Sequence, residues 1–132
     1  MRISSPALLD DCLDLAPPTR FGRRATVAMW RAALTYAVHD DAGTLLAIGY
    51  LWPHSSPNGT WRELCLALAP DARRHLRALI GAAQLILDEL AQDGVMVEAR
   101  ISPGHLPGER MARLVGFAPV PDRPSAWTYV WR

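Results

Sequence analysis

The sequence predicts a mixed α/β domain, and three observations carry that prediction. Residues 71–91 repeat apolar side chains at helical spacing. An acidic turn, DDAG at 40–43, separates two apolar runs. Two short apolar runs follow Gly116 at the end of the chain. A length of 132 residues suits one domain, 1–132, with a core of its own. Half of the residues are hydrophobic and a fifth are charged, an ordinary balance for a globular protein. The net charge of +1 names no partner. All 14 basic residues are arginine, a bias of coding that lowers the meaning of any single one.

The elements follow in order. PALLDDCLDL (6–15) has helical spacing with an acidic outer face, Pro6 in the first turn and Ser4 or Ser5 as cap. Pro17 and Pro18 stop it, TRFGRR (19–24) forms a basic loop, and a second helix runs from Ala25 to Leu34. TYAVH (35–39) and TLLAIGYLW (44–52) pair across the acidic turn. PHSSPNG (53–59) reads as a turn-rich linker, and TWRELCLALAP (60–70) as a third strand. On that strand Trp61, Glu63, Cys65 and Ala67 share one face, and Arg62, Leu64, Leu66 and Leu68 the other. The helix over 71–91 turns Leu76, Leu79, Ile80 and Leu87 inward and closes at Gly94. VMVEAR (95–100) is a strand, PGHLPG (103–108) a loop and ERMARLV (109–115) a short helix ending at Gly116. Phe117 to Val120 and Ala126 to Trp131 are the last strands, with Trp127, Tyr129 and Trp131 on one face.

Cys12 and Cys65 lie far apart without metal-ligand spacing, so neither a disulfide framework nor a zinc site is expected. His39-Asp40-Asp41 is read as exposed turn punctuation rather than a metal site. No apolar run is long enough to span a membrane, and no signal-peptide pattern opens the chain, so the expectation is a soluble, cytoplasmic protein. Arg20, Arg23 and Arg24 around Phe21 are the best candidate for an acidic or nucleic-acid partner, but near-zero net charge argues against nucleic acid.

The junction of the 60–68 strand with the long helix carries the chemistry. Its sequence is LALAPDARRHLRAL. Arginines in the first turn of a helix oppose the positive end of the helix dipole. Arg73, Arg74 and Arg77 make sense there if an anion sits against them. The competing reading leaves them in water, with Asp71 offsetting the dipole.

At this junction the chain resembles the GCN5-related N-acetyltransferases (GNAT). Leu68-Ala69-Pro70 falls where that family has V-x-P. Arg73-Arg74-His75-Leu76-Arg77-Ala78 falls on its acetyl-CoA loop, R/Q-x-x-G-x-G/A, and Leu114-Val115-Gly116-Phe117 on its L-G-F ending. The resemblance covers about residues 35–131. It implies a mostly antiparallel central sheet flanked by helices, and acetyl-CoA as co-substrate for an unknown amine acceptor. The residues 73–78 would meet the cofactor's phosphates, and Leu66, Ala67 and Leu68 its pantetheine. Glu63, the only carboxylate on its strand, is the preferred base. His105 stands where the family commonly has Asn and is a second catalytic candidate.

The departures point to an alternative. Leu76 and Ala78 replace the motif glycines, and Ala112 stands where a thiolate-protonating Tyr is common. A Cβ at the point of closest backbone approach weakens or reshapes phosphate binding. The arginine-rich loop is closer to a subgroup of tailed-phage acetyltransferase-like proteins, some of them internal virion or assembly proteins. On that reading the chain keeps the fold but binds rather than catalyses, in the host cytoplasm or the virion. His54, in the linker, and His75, in the arginine turn, carry less expectation of chemistry. The C-terminal strand offers an edge for a second copy or a protein partner.

Overall fold

The computed structural model describes residues 1–130. In chain order the elements are β1 (Arg2–Ser4), α1 (Leu9–Asp14), α2 (Arg20–Ala32), β2 (Leu34–His39), β3 (Leu45–Ser56), β4 (Gly59–Leu68), a 3-10 turn (Pro70–His75), α3 (Leu76–Gln92), β5 (Val97–Arg100), α4 (Leu106–Val115), β6 (Phe117–Val120) and β7 (Arg123–Tyr129). The strands form one sheet in the order β1-β2-β3-β4-β5-β7-β6. β1/β2, β2/β3, β5/β7 and β6/β7 are antiparallel, and β4/β5 is parallel. The α/β class and the mostly antiparallel sheet expected from the sequence are therefore observed.

The chain divides into two compact units, Met1–Trp52 with Cys65–Leu79, and Pro53–Leu64 with the residues from Ile80 onward. In the first unit the buried cluster is Ala7, Cys12, Ala37, Ile48 and Tyr50, with Trp30 and Cys65 among the side chains packed on it. Residues 5–7 are not helical, contrary to the expected helix from Pro6. They are committed to tertiary contacts instead. Ser5 Oγ donates to the Thr35 carbonyl at 2.8 Å, the Ala7 N–H donates to Thr35 Oγ1 at 2.9 Å, and Trp30 Nε1 donates to the Ala7 carbonyl at 2.8 Å. Helix α1 then starts at Leu9 with no side-chain cap.

The expected basic loop at 19–24 is the first turn of α2. Thr19 is its N-cap, its hydroxyl accepting the Gly22 N–H at 2.9 Å. Gly22 packs so closely on Pro17 that a Cβ there would lie 2.6 Å from Pro17 Cβ. The helix can begin this early because that position is glycine.

The expected linker at 53–59 is also regular structure. β3 continues through Pro53 and His54 to Ser56, and the turn is confined to Pro57 and Asn58 before Gly59 at φ 135. The Asn58 N–H donates to Ser56 Oγ at 3.2 Å. Pro53 lacks a donor, but its exposed position tolerates that.

In the second unit Leu87, Val97, Val115, Phe117 and Trp127 are buried. Phe117 meets Tyr129 edge-on at 5.5 Å, and the Arg113 guanidinium lies 4.9 Å from the Trp127 ring centre. β7 runs between β5 and β6, so it is not the open edge that the sequence suggested. The edges are β1 and β6. Trp131, assigned to that last strand from the sequence, lies outside the described residues.

Candidate active site

Strand β4 carries the main constellation. Its alternation puts Glu63 on the same face as Trp61. Glu63 Oε1 lies 3.0 Å from His54 Nε2 and 3.5 Å from Arg100 Nε. The His54 ring stacks on Trp61, with centroids 5.2 Å apart and planes 10° from parallel. The side chains are only partly shielded, His54 32% exposed and Glu63 22%. β3 and β4 supply the histidine, the indole and the carboxylate from one hairpin, and β5 ends with the arginine. The group combines an imidazole, a carboxylate and a guanidinium with access to solvent.

Further along β4 the parallel register with β5 covers Arg62–Leu64, while the strand itself continues to Leu68. Its last residues are anchored on the first unit. Cys65 and Ala67 pack on the core, Leu66 and Leu68 are half exposed to solvent, and the Ala69 N–H donates to the Leu46 carbonyl at 2.9 Å. The following turn opens with Pro70 and is 3-10 rather than α. Ala72 is buried beneath it, its N–H donating to the Ala69 carbonyl at 3.0 Å. Arg73, Arg74 and Arg77 are exposed, and none makes an ion pair among the described residues. Leu76, half-buried, has φ −58 and ψ −44, an ordinary helical conformation that does not call for glycine. Ala78 is exposed and His75 half-buried.

No protein-family model matches the sequence, and no curated protein matches it. Solved structures match the fold over almost its full length. The aminoglycoside antibiotic 6'-N-acetyltransferase AAC(6')-Ih from Acinetobacter baumannii is 16% identical, with a TM-score of 0.66 over 89% of this chain and 90% of that one. The IAA acetyltransferase from Bacillus cereus ATCC 14579 is 15% identical, with a TM-score of 0.59 over 96% and 95%. AtaTR bound with AcCoA is 13% identical, with a TM-score of 0.59 over 97% and 91%.

This chain has the GNAT fold.

Within the GNAT fold the two catalytic candidates are placed differently. Glu63 stands in the constellation above. His105 is the N-cap of α4, its ring Nδ1 accepting the Gly108 N–H at 3.2 Å. The close approach needs Gly108, where a Cβ would lie 2.6 Å from that nitrogen. The sequence put His105 in a loop, and its ring is occupied in starting the helix three residues earlier than expected. Ala112 is buried within α4.

His54 carried little expectation from the sequence, and Arg100 none, yet both lie against Glu63. For His54 the cause was reading 53–59 as a linker. A two-residue turn at 57–58 sets residue 54 opposite residue 61, so placing the turn on Pro57 and Asn58 would have revealed the His54–Trp61 pair.

The arginines singled out on 20–24 sit on α2. Arg23, Arg24 and Arg31 line a groove with Leu13, Val27 and Ala28, and Phe21 is 82% exposed. His39, expected to be exposed, is 7% exposed at the end of β2. No group of three or more metal-ligating side chains occurs among the described residues, nor any helix long and apolar enough to cross a membrane.

Proposed function

We propose that the chain is an acetyl-CoA-dependent N-acetyltransferase that acts on an amine acceptor by direct transfer, its 132 residues working as one acyltransferase domain. The observation that carries this reading is the Glu63 constellation. On a GNAT-fold chain, β4 presents a carboxylate joined to a partly exposed imidazole. N-acetylation needs an acceptor relieved of its proton, a polarised carbonyl and a stabilised leaving thiolate. Acetyl-CoA supplies the activated acetyl group as a thioester. Glu63 and the groups upon it supply proton removal. The backbone of Leu66, Ala67 and Leu68 lies beyond the β5 register, where it can hold an extended amide chain. Arg73, Arg74 and Arg77, exposed and without ion-pair partners among the described residues, fit the phosphates in charge and access. His75 and Ala78 complete that turn, where Leu76 narrows the approach.

Titration calorimetry with acetyl-CoA tests this. Saturable binding is expected, weakened at least tenfold in Arg73→Ala/Arg77→Ala. Absence of heat at millimolar ligand would end the proposal.

Leu76 and Ala112 favour a second reading, a GNAT-fold protein that binds without turning over. Ala112 has no proton to give a thiolate, and Leu76 adds bulk to the phosphate turn. That reading predicts measurable binding of acetyl-CoA or a partner, but no acetylated product with any amine offered.

A further inference from the structure

The contact between His54 and Glu63 fixes which nitrogen of the ring is available. A carboxylate at neutral pH only accepts hydrogen bonds. The hydrogen in the 3.0 Å contact therefore belongs to His54 Nε2. With Nε2 protonated, the neutral ring carries its lone pair on Nδ1. Nδ1 makes no hydrogen bond among the described residues, and the side chain is 32% exposed. The stack on Trp61 limits rotation of the ring, so Nδ1 keeps one direction. Glu63 Oε1, from β4, also lies 3.5 Å from Arg100 Nε of β5.

We propose that His54, and not Glu63, takes the proton of the acceptor amine, with Glu63 as the positioning residue that holds the ring through Nε2. The proposal rests on the acetyltransferase reading above. An imidazole suits this task better than a carboxylate, because its ordinary titration range straddles neutrality. The arrangement follows the logic of a carboxylate-oriented histidine base. As the amine nitrogen bonds to the thioester carbonyl carbon, its proton passes to His54 Nδ1. Glu63 then faces an imidazolium and stabilises it. The carbon–sulfur bond breaks with its electron pair on sulfur. The imidazolium returns its proton to the thiolate, directly or relayed through a water molecule, which leaves N-acetylamine, free thiol and the original imidazole.

The test has two arms. Long-range nitrogen-15 NMR on the labelled protein reads the tautomer. Wild type is expected to hold the Nε2–H form, and Glu63→Leu to relax toward a mixture. A dominant Nδ1–H form in wild type would overturn the proposal. The second arm measures acetyl transfer to a panel of primary amines against pH, corrected for each amine's own titration. His54→Gln is expected to lower kcat/KM by about 10²–10⁴-fold and to erase the acid limb in the histidine range. Glu63→Gln, whose carbonyl still accepts from Nε2, is expected to cost less and to keep the limb. If Glu63→Gln costs more and His54→Gln keeps the limb, Glu63 is the base and this proposal fails while the enzyme reading stands. If no amine is acetylated by wild type, both fail.

Discussion

Two histidine–carboxylate pairs occur among the described residues, one in each unit. His39 Nε2 lies 3.2 Å from Asp11 Oδ2, with the His39 side chain 8% exposed. His54 and Glu63 are 3.0 Å apart, with the histidine 32% exposed. The chemical groups are the same, and the surroundings separate them. The second nitrogen of His39 is buried with no hydrogen-bond partner, so it has neither solvent nor an acceptor to exchange a proton with. The second nitrogen of His54 belongs to a partly exposed ring braced on an indole. The two pairs share their geometry and differ in access at the far nitrogen.

The comparison can be broken most sharply at His54. His54→Gln is expected to abolish most acetyl transfer at a cost to stability of about 0.5–1.5 kcal/mol, the worth of the hydrogen bond to Glu63. Asp11→Ala should do the opposite. It leaves a buried imidazole without its partner, at a cost of about 1–3 kcal/mol, visible as a lower urea midpoint with kcat intact.

A smaller effect concerns the groups beside the buried pair. Burial pushes the Cys12 thiol up, partly offset by its hydrogen bond with Tyr50, and burial together with that same bond pushes the Tyr50 hydroxyl up. Both are favoured neutral in the folded chain. Their contribution to stability is full below the unfolded values, about 8.5 for cysteine and 10 for tyrosine, and is lost as pH rises beyond them. Denaturation measured from pH 7 to 11 should show falling stability above about pH 8.5, with a shallower fall in Tyr50→Phe. The smallest effect is on reactivity. Cys12, 1% exposed, should resist a thiol reagent in the native state and react on unfolding. Rapid native labelling would show the first unit to be looser than its packing implies.

The same distinction explains what the sequence revealed. The long helix was legible because Leu76, Leu79, Ile80 and Leu87 repeat at 3.6-residue spacing. The β2/β3 turn was legible from its acidic residues and glycine. Asp40 Oδ1 accepts the Ala42 and Thr44 N–H groups, both at 2.9 Å. The α2 start was not legible, because it depends on Gly22 fitting against Pro17, a tertiary fact. Residues 53–59 were read as a turn-rich linker, which concealed the extension of β3 and left His54 with little expectation. Glu63 was singled out because it is the lone carboxylate on its strand. Its partners come from β3 and β5, and only pairing brings them together. His105 was singled out because a loop histidine can titrate, and only the folded chain shows its Nδ1 capping α4.

The most direct test is acetyl transfer and unfolding measured in parallel for wild type, His54→Gln and Asp11→Ala. Proteins are stable by about 5–15 kcal/mol, so Asp11→Ala stays folded at assay temperature. The account predicts that Asp11→Ala transfers acetyl at the wild-type rate with a lowered unfolding midpoint, and that His54→Gln stays folded at assay temperature with transfer nearly gone. Equal loss of activity in both variants, or full activity in His54→Gln, would contradict it.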